Sequence, residues 1–503
     1  MKTPVAALLA ALALQGPAPP AYDASEKSIT ELGEALDRGL VTSHALVQDA
    51  LDRIAAYDKA GPAINALIAI NPQAMADADA MDAERRAGRR RGPLHGIPVV
   101  VKDNFDTVDM PTTAGSIALR GSLPDRDAFQ VRRLHEAGAV IVGKTNLHEF
   151  ARGITTVSSL GGQTRNPYDL TRNPGGSSGG TGAAVAAGFA AAGLGTDTCG
   201  SIRYPAAHNN LVGLRPTLGL SSRRGIVPLA HSQDVGGPLA RSVVDVAIVL
   251  DATAGSDPED PSTRDADARR PASYRAALGT ASLQGVRIGV LQPLFGREPE
   301  DLRAGSVVRA ALAAMAQRGA TLVDIDESGG VPSEQDGISI IRFEFASDLN
   351  AYLKATPRAP VRTHDEILER HLVLPSLEAV FRRDAPTPDS DEYRAIVEKH
   401  AQQRAAIVAL MDARQLRALA YPTLRRTAAK IGEPQTGGNC AASAATGLPA
   451  ITVPAGFADD GMPVGLELMG RPFAEPELLS VAYAFEQAMR ARRPPVFVNK
   501  GWN

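Results

Sequence analysis

Two serines sit in loops built almost wholly of small residues. The first loop reads Arg172-Asn-Pro-Gly-Gly-Ser177-Ser178-Gly-Gly-Thr-Gly182, and the second reads Gly195-Thr-Asp-Thr-Cys-Gly-Ser201-Ile-Arg-Tyr-Pro205. Glycine lets backbone approach backbone and reaches dihedrals that other residues avoid. A serine among glycines is therefore accessible and easily ringed by backbone N–H groups. A nucleophile and the oxyanion it creates need those surroundings. The two loops predict an enzyme that cuts an acyl bond with a serine.

Such a serine needs a base. The segment Val99-Val-Val-Lys102-Asp-Asn104 ends a β-branched run with a lysine. The run reads as a buried strand, where a lysine is costly unless it is neutral or paired. Lysine titrates near 10.4 in water, so a lysine base working near pH 7 requires its charged form to be disfavoured by about 4 kcal/mol. Burial beside hydroxyls can supply that. Asp103 follows directly, but successive strand residues point to opposite faces, so it need not pair with Lys102.

In this order the three pieces resemble the amidase signature family. The resemblance runs from about Leu32 to Pro495. It takes in Gly92-Pro-Leu-His-Gly-Ile-Pro98, Gly143-Lys-Thr-Asn146, Gly237-Pro-Leu-Ala-Arg-Ser242 and Leu448-Pro-Ala-Ile-Thr-Val-Pro454. The fold it implies is α/β, a single large domain with a central, mostly parallel or mixed sheet covered by helices on both faces. The catalytic residues it implies are Ser201 as nucleophile, Ser177 as a bridging serine on a cis peptide after Gly176, and Lys102 as general base. The oxyanion hole would be the backbone N–H groups of Thr198, Cys199, Gly200 and Ser201. The family usually carries glycine where this chain has Cys199. The implied reaction is hydrolysis of a linear amide through an acyl-enzyme, with a peptide C-terminal amidase as the leading form. Aryl-acylamidase, carbamate hydrolase and the amidotransferase subunit of tRNA charging are the alternatives.

Rival patterns are weaker. Gly138-Ala-Val-Ile-Val-Gly143-Lys144-Thr145 satisfies the phosphate-loop spacing, yet its centre reads as a buried strand rather than a loop around phosphates. Lys144 competes with Lys102 as base but follows a glycine instead of ending the apolar run. Nine histidines are available for a Ser-His-Asp hydrolase, but the candidate nucleophile Ser201 does not sit in a G-x-S-x-G elbow. His95, His208 and His231 read as satisfied polar residues, and Cys199 as an inert small residue in a turn. Asp197 and Arg203, flanking Ser201, read as a structural ion pair. Gln163, Arg165 and Asn166 read as ordering the first glycine loop.

Composition fits an ordinary enzyme. A chain of 503 residues, 44% hydrophobic and 22% charged, buries a large core. Its net charge of −3 gives no reason to expect a nucleic-acid partner. Two cysteines, Cys199 and Cys440, suggest neither a disulfide framework nor a metal site. The expectation is an enzyme without cofactor or metal, acting on a small-molecule or peptide amide and needing no obligate protein partner.

Along the chain, residues 27–90 show helical spacing and predict a helical N-terminal layer. From 96 to about 251, β-branched runs alternate with Ala-rich helical runs (128–137 and 183–192), the pattern of an α/β sheet. Residues 252–282 read as a surface loop, and about 338–416 as helices broken near 357–360 and 384–388. The resemblance assigns that last region to the substrate entrance.

The start, Met1-Lys2-Thr3 followed by Ala, Val and Leu to Leu14 and then by Ala/Pro-rich residues, reads as a secretory signal peptide over 1–21. Its core is too short to span a bilayer. The amidase domain would occupy 22–503, exported to the periplasm or beyond. Mass spectrometry of the exported fraction should then find a new N-terminus near residues 19–23. Intact Met1 recovered solely from cytoplasm rejects the signal peptide.

Overall fold

The computed structural model describes residues 22–326, 330–385 and 387–496. The predicted signal peptide, residues 1–21, lies outside the described residues. Eleven strands form one central sheet: β1 (Leu67–Ile70), β2 (Pro98–Lys102), β3 (Val140–Thr145), β6 (Ala192–Asp197), β7 (Val212–Arg215), β8 (Val235–Ala240), β9 (Arg287–Leu291), β10 (Thr321–Ile325), β11 (Ala418–Pro422), β12 (Ala450–Phe457) and β13 (Pro463–Met469). A separate hairpin pairs β4 (Val157–Ser158) with β5 (Gly162–Gln163). The sheet order is β1-β3-β2-β6-β8-β7-β12-β13-β11-β9-β10. Pairing is parallel for β3-β2-β6 and again for β11-β9-β10, and antiparallel between. The fold is the expected α/β domain with a mixed sheet.

Strands β2, β3 and β6 are buried along their whole length, as strands covered on both faces must be. Val99 and Val101 pack into one core cluster, Val100 into the other. By the same alternation Lys102 falls on the Val100 side, where the helix Gly179–Ala186 lies. Strand β3 carries a register shift against β2, after which Lys102 is opposite Thr145 and Val101 opposite Lys144. Thr145 Oγ1 lies 2.7 Å from Thr181 Oγ1 of that same helix. The shift therefore sends Lys144 to the other face of the sheet from Lys102.

Three expectations need correction. The N-terminal layer is not wholly helical. Helices Ile29–Asp37, Ser43–Tyr57 and Ala74–Arg86 are interrupted by β1, which adds an antiparallel edge to β3. Four residues are too few for any periodicity to announce them. Second, residues 252–282 are more than a surface loop, since short helical turns there bury Tyr274 and Leu278 in the core. Third, the apolar run 183–192 is helical only to Ala186, with β6 starting at Ala192.

Helices Ile341–Ala355, His364–Glu369 and Pro375–Phe381 pack on Ala118, Leu119 and Phe150, in the segments that follow β2 and β3. Phe345 and Phe381 from this region meet Phe150 edge-on, with ring centroids 6.1 and 5.6 Å away. Breaks fall after Ala355 and after Phe381 as expected, and a further one separates Glu369 from Pro375. Helix Gly179–Ala186 sits close enough on the sheet that a Cβ at Gly180 would lie 2.2 Å from Asn146 O and 2.6 Å from Ala66 O. Gly180→Ala should therefore lower stability by about 1–3 kcal/mol, the range for overpacking. A drop in the urea midpoint at unchanged slope checks this.

Candidate active site

Strand β2 delivers Lys102 to its C-terminal end with no exposed surface. Its Nζ donates to Ser177 Oγ at 2.8 Å and to Thr196 Oγ1 at 2.7 Å. Asn104 Nδ2 donates to the same Thr196 hydroxyl at 3.1 Å. Burial pushes the Lys102 pKa down to about 7, against the opposing pull of Asp197 and Asp234. Lys144 is equally buried but its Nζ is 3.2 Å from Asp103 Oδ1, and it donates to Thr112 Oγ1 and Pro111 O. Lys144 thus has the carboxylate that Lys102 lacks. It also lies within β3, so the phosphate-loop spacing marks a strand.

The Gly176–Ser177 peptide is cis. The loop before it is ordered much as expected. Gln163 Nε2 donates to the carbonyls of Thr155, Thr156 and Thr164, and Asn166 Nδ2 to those of Asn173 and His208. Thr156 Oγ1 donates to Gly175 O at 2.7 Å and accepts from Gly179 N–H. Ser178 N–H donates to Ser201 O at 3.1 Å, stitching the two serine loops together.

The second loop closes around Asp197. Its carboxylate accepts from Gly200 N–H at 2.8 Å, Ile202 N–H at 3.2 Å and Arg203 Nε at 3.0 Å, and from Arg215 Nη1 at 3.1 Å. Burial opposes its charge, but Arg203 and Arg215 hold the carboxyl well below the usual carboxylate range. Arg203 also pairs with Glu467. The expected structural ion pair is thus one part of a larger buried cluster. Gly200 N–H, one of the four expected oxyanion donors, is thereby bonded to Asp197. Thr198 is fixed through its hydroxyl, which donates to Asp234, while Asp234 Oδ2 accepts from Leu229 and Ala230 N–H at 2.8 and 3.0 Å.

A further correction concerns the cysteines. Cys199 and Cys440 form a disulfide across a sequence separation of 241 residues. Cys199 is no free thiol, and a thiol nucleophile is excluded. An even count of two was the available signal, but nothing local joins residues so far apart.

Ser201, 3% exposed, lines a cavity of about 260 Å³ together with Cys199, Gly153, Ile154, Leu229 and Ile338. Arg152 also borders it, but its guanidinium is committed to Asp384. The lining is chiefly apolar. His148, which sequence reasoning passed over, is buried beside the site. Its N–H donates to Ser177 O at 3.0 Å, and burial, then the Lys102 charge, push its pKa down to about 4. Thr196, Asp234 and Arg215 were likewise missed. They brace the site through contacts that no short motif encodes.

The remaining histidines lie elsewhere. His95 Nε2 is 3.0 Å from Met81 O. His208 is buried in the helix Arg203–His208, its pKa pushed by burial down to about 4. His231 Nδ1 is 2.9 Å from Asp348 and 3.4 Å from Glu344. Those three are the one His/Asp/Glu group compact enough for a cation among the described residues, and they already satisfy one another.

Comparison with known proteins agrees with this geometry. The Amidase family model matches residues 45–479. The chain belongs to the amidase family. The peptide amidase from Stenotrophomonas maltophilia superposes with a TM-score of 0.86 at 40% identity, covering 94% of this chain and 99% of its own. A "Probable amidase" of Arabidopsis thaliana is 35% identical over 95% of this chain and 93% of its own. A glutamyl-tRNA(Gln) amidotransferase subunit of Moorella thermoacetica is 38% identical over 93% of this chain and 98% of its own. This chain is accordingly an amidase, a hydrolase of amide C–N bonds.

The Asp197 cluster is open to a direct test. Arg203→Met should cost about 3–5 kcal/mol, because it strands the buried Glu467 without a counter-charge and leaves Asp197 with Arg215 alone. Equilibrium unfolding in urea checks the value.

Proposed function

We propose that this amidase hydrolyses the C-terminal carboxamide of a peptide, or a similar linear amide, through a Ser201 acyl-enzyme, with Ser177 and Lys102 as proton relay. The observation that carries the reading is Lys102 itself. It is fully buried and hydrogen-bonded to hydroxyls, and its pKa lies near the working range of a base. Neutral Lys102 takes the Ser177 hydroxyl proton as Ser177 takes that of Ser201. The Ser201 oxygen bonds to the amide carbon, and the carbonyl electron pair moves onto oxygen, facing the N–H groups of Thr198, Cys199 and Ser201. Collapse breaks the C–N bond while the proton returns through Ser177 to the leaving ammonia or amine. Water, deprotonated along the same path, then releases the carboxylate.

The apolar cavity suits an uncharged acyl side chain. The likeness to a peptide amidase supports hydrolysis of a peptide amide, whereas the amidotransferase-subunit relative, 38% identical, supports work within an assembly. The Cys199–Cys440 disulfide favours the first reading. Disulfides persist in oxidising compartments and are rare in cytosol, which also supports export. Release of free acid from peptide amides by the isolated chain is the deciding assay. Activity seen only with added partner proteins would favour the amidotransferase reading.

Ser201→Ala should lose more activity than the ~10²–10³ of a single oxyanion donor while the fold survives. Lys102→Ala should lose far more than Lys144→Ala at equal folded fraction. The wild-type kcat/KM should rise with pH through about 7 and level off above it, since the neutral lysine is the active form and protonation below its pKa removes it. A flat profile between pH 5.5 and 8.5 would exclude Lys102 as base.

A further inference from the structure

The disulfide stands where two parts of the site meet. Thr198 is tied to Asp234 and Gly200 to Asp197, and the Cys199 side chain between them is bonded to Cys440. The main chain of Cys440 is itself held by residues that follow the serine. Its N–H donates to Tyr204 Oη at 2.8 Å, and its carbonyl accepts from Arg203 Nη2 at 3.3 Å. On its other side the bridge supports the short helix Glu334–Ser339. A Cβ at Gly337 would lie 2.6 Å from Cys199 Sγ and 2.9 Å from Ala441 Cβ, so the helix rests directly on the bridge. The next residue, Ile338, lines the cavity with Cys199 and Ser201.

We propose that the Cys199–Cys440 bridge is a positioning strut: it holds the oxyanion loop in place and seats the helix Glu334–Ser339 so that Ile338 closes the apolar acyl pocket. This rests on the function proposed above for the identity of loop and pocket. Oxyanion donors act only when preorganised, and a misplacement of about 1 Å can cost on the order of 10²-fold. A covalent tie to the middle of the donor loop supplies that fixity. Resting the wall helix on the same tie couples acyl selectivity to it.

The test uses the full chain carrying Cys199→Ser with Cys440→Ser, and separately Gly337→Ala. The probes are propionamide, too small to reach the wall, and N-acetylphenylalaninamide. A small fluorophosphonate labels Ser201 without the need for a known amide. Loss of the bridge should lower kcat on both amides and the labelling rate at least tenfold, and should raise KM severalfold for the phenylalanine amide alone. Gly337→Ala keeps the bridge, so kcat on propionamide should stay within twofold while KM for the phenylalanine amide rises severalfold. Denatured, unreduced wild type should titrate no thiols. Two titrated thiols, unchanged kcat and labelling in the double variant, or no KM change in Gly337→Ala would each overturn the strut. If the double variant fails to fold, the thiol count and Gly337→Ala still decide. A wild type that labels but cleaves neither amide defeats the proposed function, and the labelling rates then judge the strut alone.

Discussion

Asp197 is buried at the end of β6 and accepts hydrogen bonds from Gly200, Ile202 and Arg203 within its own loop and from Arg215 across the sheet. One carboxylate thus folds residues 198–201 back on themselves and ties the loop to β7, two strands away in the sheet. Burying such a charge is unfavourable unless it is paired and its lone pairs are filled, and two guanidiniums meet both conditions here. Because they hold Asp197 well below the usual carboxylate range, the loop keeps its shape across the neutral range. Lys102 is left as the group beside Ser177 that titrates there.

The contrast between two lysines shows how environment, not residue type, assigns chemistry. Lys102 and Lys144 are both fully buried on adjacent parallel strands. Lys144 has the Asp103 carboxylate at 3.2 Å as an ion-pair partner. Lys102 has hydroxyls, which leave the desolvation penalty to lower its pKa. What separates them is the register shift in β3, which turns Lys144 to the opposite face from the serine loops.

The cavity beside Ser201 is assembled differently. Its walls come from segments near 151–154, 229 and 338–341, none adjacent in sequence. Asp234 links the 229–230 segment to Thr198, and the helix Glu334–Ser339 abuts the Cys199–Cys440 bridge at Gly337. The 198–201 loop and the cavity wall therefore share supports.

The sequence by itself determined the chemistry-bearing loops, the buried strand ending in Lys102, and the alternation that separates Lys102 from Asp103. These are local facts, set by glycine content, β-branching and the two-residue period of a strand. The helices between 334 and 413 and two of their breaks were legible for the same reason. Tertiary structure alone decided that Gly200 N–H is bonded within its own loop, because that bond depends on where Asp197 points. It alone brought Cys440 to Cys199, Arg215 and Glu467 to the Asp197 cluster, and His148 to Ser177. Such contacts join residues tens to hundreds of positions apart. They follow from strand order and register, which no local pattern records.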